Sequence, residues 1–239
     1  MERMSIGIIG FGQMGQFLAR HLNERHDVVA ADALDRAKEA AALGIQFAGA
    51  AEAAGQDVVI FAVPTSALRQ AIAAAKPFLR ADAIVLDICS VKVLPCRLMS
   101  ELPNEIVGTH PLFGPQSGAG GIAGLPVVVC PVRASAATLD AVRNLFLGLG
   151  LDVIVATPEE HDQAMATSHA LLHFIALPLM RLGDQRIKIS ALDKARALAD
   201  VFRHDSPQLF RDVQMLNSFA APLRKQLIKQ LQEIDEGLS

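Results

Sequence analysis

The chain has no tryptophan and no tyrosine, so its aromatic side chains other than histidine are eleven phenylalanines. Net charge is −3 and no basic cluster is present, which argues against nucleic acid as a partner. The three cysteines, Cys89, Cys96 and Cys130, show no metal-ligand spacing. We interpret them as buried thiols of a reducing, cytoplasmic compartment, and we expect no metal site.

Long apolar runs are also missing. No segment approaches the roughly 20 apolar residues that a membrane helix needs, so we expect no membrane association. The chain enters its first strand at Ser5 without a basic and apolar leader, so no signal peptide is expected. Of the 239 residues, 51% are hydrophobic and 20% are charged, a composition that supports a packed core.

A glycine motif follows the first apolar run. Residues 5–10 predict a buried parallel strand, and residues 10–15 then read G-x-G-x-x-G before an amphipathic helix to about Leu22. The first glycine permits a tight turn, the second admits a pyrophosphate, and the third allows helix and strand to pack closely. The sequence therefore predicts a dinucleotide site, with binding residues Gly10, Phe11, Gly12, Gln13, Met14 and Gly15.

Asp32 ends the second predicted strand, residues 27–31. An acid at this position binds the ribose hydroxyls and disfavours a 2′-phosphate, which indicates NAD. Arg36 lies close by and leaves NADP possible. Val63 and Pro64 end the strand predicted over residues 57–64, and we expect them beside the cofactor.

Further strands are predicted at 83–87, 105–109, 125–131 and 151–156, with helices at about 65–75 and 135–149. This alternation is typical of α/β proteins with a Rossmann-type, doubly wound parallel sheet. We assign residues 1–156 to a dinucleotide-binding domain.

The strand pattern stops after Pro158. Helices are predicted over 158–182, 193–204 and 207–236, which makes residues 157–239 a smaller all-helical domain for substrate binding and dimerisation. Because three helices form only a poor hydrophobic core on their own, we expect the chain to form a homodimer through this domain. His169 and His173 are four residues apart and share one helix face, either as core histidines or at the mouth of the ligand crevice.

His110 follows the strand at 105–109 and precedes a loop rich in proline and glycine. The end of a parallel strand is where such a sheet opens its ligand crevice, and an imidazole is suited to general-base work near neutral pH. Ser90 follows the strand at 83–87, where the residues alone are compatible with a helix cap.

Several motifs in order resemble one enzyme family. They are the glycine motif, DICSVK at 87–92, THPLFGP at 109–115, EHD at 160–162 and SHALLHF at 168–174. Together they are similar to the prephenate/arogenate dehydrogenases of tyrosine biosynthesis, and the FGPQSG stretch at 113–118 looks closest to the plant-type arogenate branch. The resemblance covers nearly the whole chain.

The resemblance implies an NAD(P)-dependent oxidative decarboxylation. Hydride leaves the ring carbon for the nicotinamide, the ring hydroxyl loses its proton, and carbon dioxide departs as the ring becomes aromatic. It implies that His110 takes the hydroxyl proton and that Ser90 contacts the hydroxyl or orients His110. Candidate substrate contacts are His173, His169, Gln116 and Lys92. We prefer His173 to His169 as the family's second histidine, and a structural role is the alternative for Lys92.

One position departs from the family pattern. Members specific for prephenate carry an arginine that grips a ring carboxylate, and Val201 aligns with it here. Arg203 and Arg196 are near but out of register, so prephenate and arogenate both remain candidate substrates. The plant-type likeness points to NADP, whereas Asp32 points to NAD.

Two other functions compete with this one. A β-hydroxyacid dehydrogenase or imine reductase shares the two-domain plan, but the former uses a lysine on the long helix, and residues 158–182 contain none. A non-catalytic NAD-sensing module has the same fold but needs no proton acceptor such as His110.

Overall fold

The computed structural model describes residues 3–182, 189–203 and 205–238. The chain divides into two compact units, Met1–Pro158 and Glu159–Ser239. The predicted division at 156/157 falls close to this boundary, and the roles assigned to the two domains stay predictions. Among the described residues, no helix is both long enough and apolar enough to span a bilayer.

Within residues 3–158, eight strands form one sheet. They are Ser5–Ile9 (β1), Asp27–Ala31 (β2), Gln46–Phe47 (β3), Val58–Phe61 (β4), Ile84–Asp87 (β5), Glu105–Pro111 (β6), Pro126–Arg133 (β7) and Asp152–Val155 (β8). Their order is β3-β2-β1-β4-β5-β6-β7-β8. Strand order reverses beside β1, so the crevice of this open sheet lies at the carboxyl ends of β1 and β4.

Helices cover both faces of the sheet. They are Gln13–Asn23 (α1), Ala37–Ala42 (α2), Ala50–Ala54 (α3), Thr65–Ala75 (α4), Val93–Met99 (α5) and Ala136–Gly148 (α6), with a 3₁₀ turn at Lys76–Phe78. Along β4, Val58 and Ile60 join one buried cluster, and Val59 and Phe61 join another. Both faces are therefore buried, which explains the unbroken apolar run of that strand.

The prediction of a wholly parallel sheet was wrong for two strands, because β7 and β8 run opposite to the other six. β7 pairs antiparallel to β6, with His110 opposite Val128, whereas the other strand pairs are parallel. The connection between β6 and β7 contains turns rather than a helix, and Gly121 and Gly124 take positive φ there. A parallel neighbour needs a long crossover, usually helical, and this connection does not provide one.

The second unit is helical in its described residues. Its elements are Pro158–Met165 (α7), a π-helical turn at Ala166–Ala170, Leu171–Arg181 (α8), Ser190–Asp200 (α9), Pro207–Leu216 (α10) and Ala220–Glu236 (α11). The helix predicted to reach His204 stops being α-helical at Asp200, and His204 itself lies outside the described residues.

The prediction of one helix over 207–236 was wrong. Asn217 takes an extended conformation between α10 and α11. Its side-chain amide donates to the Asp162 carbonyl at 2.7 Å, and its Oδ1 accepts from the Phe219 amide at 2.9 Å. A short polar side chain that bonds nearby backbone offers the chain an alternative to helix, and this stops α10.

Candidate active site and cofactor loop

The glycine loop between β1 and α1 has two closed positions and one open position. Gly10 has φ +106°, and a Cβ there would lie 2.5 Å from the Ala62 carbonyl oxygen. A Cβ on Gly15 would lie 2.1 Å from the Gly10 carbonyl oxygen. A Cβ on Gly12 would meet nothing within 4 Å, and Gly12 is exposed. Gly10 and Gly15 therefore serve the fold, whereas the space over Gly12 is available to a ligand.

The start of α1 supplies hydrogen-bond donors at this loop. The Gln16 amide donates to the Gly12 carbonyl at 2.9 Å, so the amides of Gln13, Met14 and Gly15 have no acceptor within the helix. Unpaired amides and the positive end of the helix dipole favour a phosphate. The loop therefore fits the pyrophosphate of a dinucleotide.

Asp32 holds the glycine loop in place. Its carboxylate accepts from the Phe11 amide at 2.5 Å and from the Leu34 amide at 2.9 Å. Arg36 pairs with Glu39 at 2.9 Å, and its Nε is buried with no hydrogen-bond partner among the described residues. An acid and a guanidinium thus lie in the same turn after β2, as the sequence predicts.

Two of the predicted cofactor residues, Phe11 and Val63, mainly contact other residues of the protein. Phe11 is fully buried in the core, its amide donates to Asp32 and its carbonyl accepts from the Gln16 side chain, so this residue serves the fold of the loop. Val63 packs against the loop, because a Cβ on Gly10 would lie 2.7 Å from its Cγ1. Pro64 is exposed immediately before α4.

Ser90 and His110 extend from the carboxyl ends of neighbouring strands. β5 and β6 are parallel, with Asp87 opposite Gly108. Ser90 lies three residues after Asp87, and His110 lies two residues after Gly108. His110 is still part of β6 rather than beyond its end, and it is buried, whereas Ser90 is half-buried. The sheet therefore carries both at the edge that also holds the glycine loop.

A buried polar network, formed by Asp87, Lys92 and Thr109, lies beside these two residues in the chain. Lys92 Nζ donates to the Asp87 carboxylate and to the Thr109 carbonyl, the latter at 2.5 Å. Both charged side chains are completely buried. Burial is the largest single influence and alone would lower the pKa of Lys92, but the charge and hydrogen bond of Asp87, together with the nearby Cys89 and Cys96, raise that pKa overall, which keeps the side chain charged.

This burial corrects the expectation for Lys92. With no exposed side-chain surface and with its ammonium held by Asp87 and Thr109, Lys92 has no route to a substrate. Neighbouring Cys89 is buried, and burial followed by the charge of Asp87 raises the pKa of its thiol. It is therefore an inert thiol, as the sequence predicts.

Gln116 lies in the turn that follows β6. Ser117 Oγ accepts from the Gly114 amide at 2.9 Å, and the Gly118 amide donates to the Gly114 carbonyl at 2.9 Å. These bonds fix the backbone of the turn and leave the Gln116 side chain exposed. Its role as a substrate contact stays a prediction.

In the helical unit, His169 and His173 belong to an aromatic cluster. Their rings are parallel, with centroids 5.9 Å apart, and Phe202 stacks on His173 at 4.6 Å while Phe210 meets it edge-on at 4.8 Å. Burial, together with the nearby His169, lowers the pKa of His173 to about 4. His173 is therefore neutral near pH 7.

The cluster depends on residues that sequence reasoning missed. His169 lies in the π-helical turn, and Gln214 Nε2 donates to the carbonyl of Ala170, its last residue, at 2.6 Å. Arg224 in turn donates to Gln214 Oε1 at 2.8 Å. Single π turns occur often at functional sites, but residues four apart fit an ordinary helix, so no local signal announced this one.

Asp205 also lies beside the histidines. Its carboxylate oxygen is 3.8 Å from His173 Nδ1, and ligand atoms of Asp205, His169 and His173 lie within 4.8 Å of one another. Two imidazoles and a carboxylate can in general surround a cation. The sequence predicts no metal site, and that expectation stays a prediction.

The structure places the arginines considered for the missing family contact. Arg203 pairs with Asp200 in its own helical turn, at 2.5 Å. Arg196 Nη2 donates weakly to the Leu182 carbonyl at 3.4 Å. Val201 is 67% exposed. The choice between prephenate and arogenate thus stays open.

Comparison with known proteins identifies the family of the chain. The family model for the nucleotide-binding domain of prephenate dehydrogenase matches residues 16–155. A probable arogenate/prephenate dehydrogenase of Methanocaldococcus jannaschii is 28% identical over 98% of this chain, and the chain spans 56% of that relative's length. Arogenate dehydrogenase 2 of Arabidopsis thaliana, a chloroplastic protein, is 29% identical over 97% of this chain and 67% of its own.

A solved structure shares the fold. Prephenate dehydrogenase from A. aeolicus, in complex with hydroxyphenyl propionate and NAD+, aligns with a TM-score of 0.79 at 21% identity, over 99% of this chain and 91% of that one. The first unit is thus a nucleotide-binding domain of the Rossmann type, followed by helices as predicted.

Proposed function

Because the chain belongs to the prephenate dehydrogenase family, we propose that it catalyses the oxidative decarboxylation of prephenate or arogenate with hydride transfer to NAD or NADP. The products are 4-hydroxyphenylpyruvate and tyrosine, respectively. The observation that carries the proposal is the placement of Ser90 just after β5 and of His110 near the end of β6, at the sheet edge that also bears the glycine loop. A proton acceptor and a dinucleotide loop at one edge suit dehydrogenation of an alcohol.

His110 is the proposed general base. It takes the proton of the ring hydroxyl as that carbon becomes a carbonyl-like centre, and Ser90 bonds the same hydroxyl or orients the imidazole. Burial of His110 excludes water from its ring, which strengthens hydrogen bonds made there. Loss of carbon dioxide then leaves an aromatic ring, a product far more stable than the diene.

The glycine loop and Asp32 are the proposed cofactor residues. The amides at the start of α1 bind the pyrophosphate, and Asp32 binds the ribose hydroxyls of NAD. When bound, the nicotinamide accepts the hydride. NADP stays an alternative because Arg36 lies in the same turn as Asp32.

His169, His173 and Gln116 are the proposed substrate contacts. A neutral imidazole can donate one hydrogen bond and accept another, so either histidine can bind a polar substituent of the substrate. We also propose a homodimer through the helical domain. Ile228, Leu231 and Ile234 support it, since these three aliphatic side chains are exposed within two turns of α11.

The test is reduced-nicotinamide absorbance with prephenate and arogenate, each against NAD and NADP. Turnover in any of the four combinations supports the proposal and identifies both preferences. A protein that binds cofactor tightly but turns over neither substrate is instead a sensor. Turnover of a simple hydroxy acid instead would favour the β-hydroxyacid dehydrogenase class.

The role of His110 has its own test. His110→Asn keeps a hydrogen-bonding side chain but has no comparable basicity, so we expect kcat to fall by about 100-fold or more while cofactor affinity is kept. His26→Asn is the matched control, because His26 is also buried but precedes β2 at the opposite edge of the sheet. A wild-type kcat in His110→Asn contradicts the proposed role.

A further inference from the structure

The buried network of Asp87, Lys92 and Thr109 connects the two segments that carry Ser90 and His110. Asp87 Oδ2 accepts from Lys92 and, at 2.9 Å, from the Cys89 amide. Asp87 Oδ1 accepts from the Thr109 amide at 3.3 Å, and the Thr109 hydroxyl donates to the Asp87 carbonyl at 2.5 Å. Every polar group of Thr109 is thus bonded to Asp87 or Lys92.

These contacts hold the chain on both sides of Ser90. The residue before Ser90, Cys89, donates its amide to Asp87. Lys92, two residues after Ser90, is the N-cap of α5, and its carbonyl accepts from the Cys96 amide at 2.9 Å. His110 directly follows Thr109, whose amide, carbonyl and hydroxyl are all engaged. The network therefore constrains the backbone next to both proposed active-site residues.

Gly108 makes room for the ion pair. A Cβ there would lie 2.5 Å from Cys96 Sγ and 3.4 Å from Lys92 Cδ. The aliphatic stem of Lys92 therefore passes over a strand position that has no side chain. The two charges reach each other inside the sheet only because β5 and β6 align Asp87 with Gly108.

Stability alone does not account for a pair of this kind. Moving two charges out of water is costly, and apolar replacements of similar volume are often neutral or stabilising. Hydrogen bonds to ionised groups are, however, short and strongly directional. Compared with apolar side chains of the same volume, the ion pair adds a fixed geometry for the atoms that it hydrogen-bonds.

We propose that Asp87 and Lys92 are positioning residues that fix Ser90 and His110 relative to each other, and that neither contacts the substrate. This inference rests on the proposed function, since it assumes that Ser90 and His110 act on a substrate together. The pair acts through Thr109 and the Cys89 amide, so its loss displaces the reacting groups without changing their chemical nature.

The test is the double variant Asp87→Asn/Lys92→Met in the full chain. It removes both charges at nearly constant volume and keeps an oxygen that can accept from the Cys89 or Thr109 amide. We expect a folded protein that binds cofactor within twofold of wild type, because the glycine loop is untouched. We expect kcat to fall by about tenfold or more, since small misplacements of reacting groups are expensive.

Arg80→Met is the matched control. Arg80 pairs with Asp57 at 2.7 Å and with Asp82 at 2.9 Å, on the surface at the amino edge of the sheet. Arg80→Met removes two surface ion pairs without reaching Ser90 or His110, so kcat should stay at the wild-type value. A double variant with wild-type kcat overturns the proposal.

Two further measurements keep the test decisive. If the double variant does not fold, Thr109→Val removes only the hydroxyl bond to Asp87, and unchanged kcat there overturns the proposal. If wild-type protein turns over neither substrate, the proposed function fails. The NMR resonances of His110 then decide separately, because they should move in the double variant while those of His26 do not.

Discussion

Gly12 offers a direct test of the cofactor loop, because its replacement by alanine should affect the ligand and not the fold. Its φ is −73° and its ψ −168°, a conformation open to any residue, and a Cβ would meet nothing within 4 Å. A methyl group there occupies the space in which the pyrophosphate approaches the backbone. Overpacking of this kind costs about 1–3 kcal/mol, which corresponds to a Kd about 5- to 150-fold weaker.

The stability of Gly12→Ala should stay close to that of wild type. Alanine reduces the entropy of the unfolded chain, which stabilises by about 0.4–1 kcal/mol. Gly12 is also the N-cap of α1, where alanine is less favourable than glycine by roughly 0.5–1 kcal/mol. The two effects nearly cancel, so we expect the Tm to change by less than about 4 °C.

Gly49→Ala is the matched control for this variant. Gly49 is the N-cap of α3, with φ −73° and ψ 163°, and a Cβ there also meets nothing within 4 Å. Both variants should therefore have similar Tm values by calorimetry, while only Gly12→Ala loses affinity in a cofactor titration. Equal affinity in the two variants would refute the assignment of this loop to the pyrophosphate.

Three other predictions address the cofactor, pH and assembly. Asp32→Ser should shift the ratio of kcat/KM values toward NADP by about tenfold or more, since the repelling carboxylate is gone and Arg36 remains; an unmoved ratio contradicts this. His173, with its pKa lowered to about 4, takes up a proton on unfolding, so stability is full above about pH 6.5 and falls toward pH 4. The full lowering of the His173 pKa is worth about 3 kcal/mol of stability, but the Asp205 carboxylate opposes part of this effect. Urea unfolding between pH 6.5 and pH 4 should therefore show a loss of unfolding free energy about 1–2 kcal/mol larger in wild type than in His173→Phe. Equal losses in the two proteins would refute the prediction. Light scattering should give a dimer, and a monomer at working concentration removes that proposal.

Much of the nucleotide-binding unit was predictable because its signals are local. A buried strand, three spaced glycines and an amphipathic helix each announce themselves within a few residues, and Asp32 follows at the end of the next strand. The bond from the Phe11 amide to Asp32 joins the two segments. The same local reasoning located β4, β5 and β6, and with them Ser90 and His110.

What the sequence did not predict depends on contacts between distant residues. The break at Asn217 relies on the Asp162 carbonyl, 55 residues away in the chain. The π turn that carries His169 is bonded by Gln214 from another helix. The reversed direction of β7 had a local sign, since no helix is predicted between β6 and β7, and that absence deserved more weight than the general alternation.

Lys92 illustrates this limit most clearly, because a lysine in the same motif as Ser90, a proposed active-site residue, suggests a role in substrate binding. Lysine is almost never fully buried unless it is paired, so the sequence alone favours a substrate contact and leaves a structural role only as the alternative. Its actual position follows from the register that sets Asp87 opposite Gly108 and from the missing side chain at Gly108. Neither condition can be read from residues 87–92 alone. The same arrangement that removes Lys92 from the substrate gives it a bond to Thr109, and through Thr109 an influence on His110 that no surface lysine could have.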